Sequence, residues 1–61
     1  MADRAPTAEL SSMSTALKEL AARVTELADR YSGTDADSLA HDLYEVERSL
    51  NEARRRLANL L

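Results

Sequence analysis

The stretch Tyr31-Ser32-Gly33-Thr34-Asp35-Ala36-Asp37-Ser38 holds the only glycine of the chain, and the path of the backbone through it decides the fold. A chain that runs straight through makes one long rod; a chain that doubles back makes a hairpin. Gly33 can adopt the left-handed backbone that ends a helix, because it has no Cβ to clash there. Thr34 and Asp37 then have the spacing of a capping box, with Asp in place of the usual Glu, and open a second helix. The turn is expected over 32–35. Asp35 and Asp37 also form a D-x-D, a pattern met in cation sites. A calcium loop needs oxygen ligands at several more fixed spacings and a glycine inside the loop, whereas Gly33 precedes both aspartates. They read as acids at a helix start, facing free backbone N–H groups. The stretch is a bend, and no metal or cofactor is expected there.

Outward from the bend the apolar residues fall into a repeat. Leu10, Met13, Leu17, Leu20, Val24, Leu27 and Tyr31 are spaced alternately three and four apart, the seam of a heptad. In heptad letters 10, 17, 24 and 31 are a, and 13, 20 and 27 are d. Beyond the glycine the pattern returns as Leu39, Leu43, Val46, Leu50, Ala53, Leu57 and Leu60, with 39, 46, 53 and 60 at d and 43, 50 and 57 at a. The spacing predicts a first helix over 7–32, beginning near Pro6 or Thr7 with Thr7 as a cap. It predicts a second over 35–60, after a disordered tail at 1–6. Acids crowd the first half of the second helix and arginines its second half, an order that suits the helix dipole.

Folding back at Gly33 brings these seams into register. Antiparallel partners must have residue numbers with a nearly constant sum. Val24 with Leu43, Leu17 with Leu50 and Leu10 with Leu57 share one sum, and Leu27 with Leu39, Leu20 with Val46 and Met13 with Ala53 share the sum one below it. Every a meets an a and every d a d. The g positions set Arg23 against Asp42 and Glu9 against Arg56. Exposed pairs of this kind are each worth under about 1 kcal/mol and select register more than they stabilise. The expected hairpin core is therefore Leu10, Met13, Leu17, Leu20, Val24, Leu27, Leu39, Leu43, Val46, Leu50, Leu57 and Leu60.

Composition agrees. With 61 residues, no Cys, Phe or Trp, and 31% charged residues, the chain has the makeup of helices and coiled coils. It has no thiol chemistry and no disulfide framework. A domain of this size leaves much of its surface exposed and calls for a staple or a partner. A formal charge of −3 weighs against nucleic acid or anionic lipid as a partner held by bulk electrostatics. No apolar run approaches the ~18 residues of a membrane span, and the first residues lead into no signal-like segment. A cytoplasmic protein without membrane association is expected.

On the flank away from the a/d seam stand Ser14, Ala21, Ala28 and Ala40, with Tyr44 one turn further on. A lone hairpin seam rarely supplies more than about 3–5 kcal/mol, so this small-residue flank is the expected intermolecular face. A homodimer of hairpins would close it into a four-helix bundle, and so would a helical segment of a larger protein.

Candidate chemistry is sparse. His41 is alone at an f position, facing away from the seam, without a second ligand or a nucleophile at hand. Ser11, Ser12, Ser14 and Thr15 lack a positioned base, and no reaction class can be assembled. Arg54, Arg55 and Arg56 fan around roughly 300° of helix, as a solvated face does, and whether they hold a phosphate or an acidic partner is open. Tyr31-Ser32-Gly33 between two amphipathic helices resembles the W-x-G turn of the small helical-hairpin proteins exported by type VII secretion. Tyr31 takes the tryptophan position, and Tyr31 with Asp35 forms a Y-x-x-x-D. The helices here are shorter than that family's, and its export tyrosine lies beyond the second helix. The segment from Leu43 to Leu60 is similar to the coiled-coil docking segments at polyketide synthase termini, over about a third of the chain. Helical-hairpin dimers that bind RNA supply an architectural analogue without a motif match. The expectation is an all-α antiparallel two-helix hairpin that acts without catalysis, as an adaptor, regulatory or assembly subunit. An RNA- or DNA-binding hairpin dimer and a short type VII-secreted hairpin are the alternatives.

Overall fold

A computed structural model describes residues 6–61. Among the described residues there are two helices and no strand: α1, Thr7–Tyr31, and α2, Asp37–Leu60, packed on one another as a hairpin. The expected tail at 1–6 falls, apart from Pro6, outside the described residues. α1 begins at Thr7 with Pro6 before it, and the Pro6 carbonyl accepts the Leu10 N–H at 2.9 Å. No side chain caps this end, so Thr7 is the first helical residue rather than the cap that its type suggested.

The turn occupies 32–36, one residue longer than the spacing predicted. Ser32 still donates its N–H to the Ala28 carbonyl at 2.9 Å, and Gly33 then takes φ 78°. Only glycine enters that region without a steric penalty. Thr34 donates both its N–H and its hydroxyl to the Tyr31 carbonyl, and its hydroxyl oxygen accepts the Ala36 N–H at 3.0 Å. The Asp37 carboxylate reaches back to the Gly33 N–H at 2.7 Å. Thr34 and Asp37 thus organise the bend, but not as the expected capping box: the residue before α2 is Ala36, no side chain caps that end, and the Thr34 and Asp37 side chains accept from the Ala36 and Gly33 N–H groups instead of from each other's. Thr34 is spent on closing the turn, however, so helix 2 starts at Asp37 instead of 35. The bonds to the Ala28 and Tyr31 carbonyls satisfy acceptors that the ending helix would otherwise leave unpaired, and those from Gly33 and Ala36 satisfy N–H groups of the turn itself.

The helices meet along a different stripe from the one expected. The fully buried residues are Ala28, Ala40 and Ala21, at 0, 1 and 5% exposure. All three occupy e positions. Beside them Leu10, Leu17, Val24, Leu43, Leu50 and Leu57, all at a, are half-buried. The seam is therefore a/e rather than a/d. Successive residues of an α-helix advance about 100°, which sets e about 40° to one side of a and d about 60° to the other. Relative to the a/d expectation each helix is rolled by about 50° about its own axis. The physical reason lies in side-chain size. Alanines at e in both helices allow the backbones a close approach, whereas leucine, methionine and valine at d would hold them further apart.

Candidate interaction surface

The roll exposes the residues expected to sit in the core. Met13, Leu20, Leu39 and Val46 are 47, 43, 45 and 44% exposed, and Leu27 and Leu60 are exposed as well. Six members of the expected hairpin core are thus corrected to surface positions: they are the d residues, turned outward because the smaller e residues took the contact. Two antiparallel helices mirror one another across their seam. Both d rows therefore emerge on the same broad side of the hairpin, with Leu27 and Leu39 nearest the turn and Leu20 and Val46 further along. The half-buried a residues form the floor between the two rows. A shallow groove on this side is lined by Leu20, Val24 and Leu27, with Arg23 and Arg30 at its edge. Another, near the open end of the hairpin, is lined by Pro6, Leu10 and Met13. The α2 row is interrupted at Ala53, which is half-buried, and the exposed leucines, methionine and valine otherwise leave large apolar side chains on this side.

The opposite broad side carries the residues expected to be intermolecular, and there the expectation is corrected too. Ala21, Ala28 and Ala40 are buried and Ser14 is half-buried, all at the contact between α1 and α2. Tyr44 borders them and is 37% exposed. Its hydroxyl donates a hydrogen bond to the Asp29 carboxylate, so the phenol bridges from α2 to α1 across the Ala28 and Ala40 layer. That hydrogen bond, with lesser contributions from desolvation and from the Asp29 charge, raises the Tyr44 phenol above its ordinary value of 10.0. Losing the proton would set two anions side by side.

Further from the turn the same side becomes polar. Asn51 donates to the Glu47 carboxylate at 2.7 Å, and Arg54 donates through Nη1 to the Asn51 side-chain oxygen at 2.8 Å. Glu47 and Arg54 hold the e positions that in α2 follow Ala40, so they lie half-buried against α1 where an apolar residue would pack better. The Arg54 Nε is buried without a hydrogen-bond partner. Of the three consecutive arginines, Arg55 and Arg56 are exposed and Arg54 turns inward, so the solvated-face reading holds for two of them. Ser14, Asn51, Arg54, Arg55 and Ala58 line an open groove at this end.

The expected ion pairs of the hairpin do not form. Among the described residues the one ion pair is Arg48 with Glu45, one turn apart on α2 at 3.9 Å and well exposed. Neither Arg23 with Asp42 nor Glu9 with Arg56 is bridged within the chain. With a/e turned inward, the g positions of α1 and α2 swing to the two outer edges of the d face and away from each other. His41, Ser11, Ser12 and Thr15 are exposed. Among the described residues no three His, Asp or Glu groups cluster as metal ligands, and no helix is long and apolar enough to cross a membrane. The signal that would have found the true seam was present in the sequence: small residues at e in both helices, read as a flank to be covered from outside, are what brings the helices together. Comparison with family models, curated proteins and solved structures found no match.

Proposed function

We propose that the protein is a non-catalytic protein–protein interaction module: a helical hairpin that works by presenting its d face to another helical surface, as an adaptor, regulatory or assembly subunit. The observation that carries this reading is the pair of parallel apolar rows left exposed on one broad side, with Leu20 and Val46 at their centre. Each exposed leucine or valine forgoes part of the ~1.5–3 kcal/mol that full burial would return, and a chain this small has little else to stabilise it. A partner that lays two helices on those rows completes a four-helix arrangement, in which the a and d residues of every helix point to the common axis. The e residues then line the contact within the hairpin and the g residues the contact between partners. The heptad, which fails to describe the hairpin seam, describes that larger assembly.

The test is site-specific crosslinking in the cells that make the protein. A photoreactive residue at Leu20, on the d face, should yield discrete crosslinked species, whereas the same residue at His41, on the outer face of α2, should yield few. Equal yields from the two positions, or none from Leu20, would remove the reading.

A further inference from the structure

We infer that the occupant of the d face is a second copy of this chain, related by a two-fold axis along the hairpin, so that both turns lie at the same end and each α1 lies antiparallel on the partner's α2. The inference rests on the proposal that the d face docks helices, and it adds the identity and orientation of the partner. The charges along the edges of the face carry it. From the open end to the turn, the g positions of α1 read Glu9, Ala16, Arg23; those of α2 over the same layers read Arg56, Ser49, Asp42. In the stated orientation these edges lie against each other across the dimer. Glu9 then faces the second copy's α2 edge at Arg56, Arg23 faces it at Asp42, and the neutral Ala16 and Ser49 meet between them. Arg30 comes beside the turn that carries Asp35.

Within one chain neither the Arg23–Asp42 nor the Glu9–Arg56 bridge is made, so the complementarity that the sequence encodes at these positions has no use inside the hairpin. The opposite orientation, with the turns at opposite ends, brings α1 against α1 and α2 against α2. It pairs Glu9 with Arg30 and Asp35 with Arg56 but sets Arg23 against Ala16 and Asp42 against Ser49, so it satisfies fewer of the edge charges than the stated orientation, which gives Arg23 and Asp42 each a partner. The heptad register is the same on both sides: the layers that align Leu20 with Val46 inside the hairpin also align Leu20 with Val46 across the dimer, so one register serves the whole bundle. Size is adequate too. Two helices of 25 and 24 residues, at ~1.5 Å per residue and about 10 Å wide each, present a face of roughly 700 Å² in projection, close to the ~800 Å² per partner of a stable interface.

Edge reversal tests this directly. One variant carries Glu9→Arg and Arg23→Glu, reversing the α1 edge; another carries Asp42→Arg and Arg56→Glu, reversing the α2 edge. Each keeps the net charge of the chain and changes exposed positions, so circular dichroism should show both as helical. Mass by sedimentation equilibrium should show the unaltered chain as a dimer. Either variant alone should dimerise at least about tenfold more weakly, because the Glu9–Arg56 and Arg23–Asp42 contacts all become like-charged. An equimolar mixture of the two should recover dimer, since each reversed edge then meets its complement. Recovery that fades as salt rises supports the edge pairing. A mixture no better than its components overturns the orientation. An unaltered chain that sediments as a monomer at tens of micromolar overturns the second copy as occupant. Crosslinks from Leu20 to a different protein would then preserve the interaction-module reading.

Discussion

Replacing Ala28 with Glu separates the two possible seams sharply. In an a/d hairpin Ala28 would look outward and accept a glutamate at little cost. In the observed hairpin it is 0% exposed and sits in the layer of Ala40, itself 1% exposed. A glutamate side chain there must either push the helices apart, an overpacking of about 1–3 kcal/mol, or bury a carboxyl without a hydrogen-bond partner, which costs about 1–3 kcal/mol. Either response costs up to about 3 kcal/mol, against a stability of about 3–5 kcal/mol for a scaffold of this size. The variant should therefore lose most of its helical signal at 222 nm at 25 °C, or melt far below the parent. Ala22→Glu is the matched control. It makes the same chemical change six residues earlier on the same helix at an exposed f position, and should stay within about 0.5 kcal/mol of the parent. The pH dependence has a definite sign. An introduced carboxyl whose folded-state pKa is raised by burial is best tolerated when protonated, so the gap between the two variants should narrow below about pH 4 and widen as the pH rises. An Ala28→Glu chain that melts within a few degrees of the Ala22→Glu chain would refute the a/e seam.

Gly33→Ala places a Cβ in open space, since nothing lies within 4 Å of it; the cost is that of left-handed backbone alone, about 1–2 kcal/mol, and should appear as a lower melting temperature with unchanged helix content. Arg54→Met keeps the aliphatic stem and removes both the unpartnered Nε and the hydrogen bond to Asn51; the two effects oppose each other, so thermal melts should place it within about 1 kcal/mol of the parent. In Tyr44, spectrophotometric titration should find the phenol above 10.0, and Asp29→Asn should move it back toward that value. Because the folded-state value is raised, the stability that Tyr44 contributes is fully present below pH 10 and is lost as the pH rises through the folded-state value. A parent and an Asp29→Asn chain that titrate alike would break the assignment of that contact.

How much of this was legible beforehand differs from residue to residue. The bend at Gly33, the part of Thr34 and Asp37 in it and both helices follow from local properties: a missing Cβ, a side-chain oxygen at the right spacing, an apolar period. Each acts within about one turn of helix, so each can be read from neighbours in the chain. The register is constrained for a related reason. A short turn limits which layers can meet, whichever way the helices roll, so the expected pairing of Leu17 with Leu50 rests on the spacing of the two seams.

The roll itself was not readable in that way. Turning both helices by about 50° leaves every local hydrogen bond intact and costs nothing in propensity. It is decided only by which side chains fit between two backbones. A count of apolar residues assigns the seam to leucine, methionine and valine at d, because they are the more hydrophobic; close approach assigns it to Ala21, Ala28 and Ala40, because they are the smaller. The sequence alone therefore determined two amphipathic helices joined in an antiparallel hairpin. Only the tertiary structure decided which stripe of each helix is spent inside and which is left to face outward, since that choice depends on steric fit across the chain and not on any property of one helix by itself.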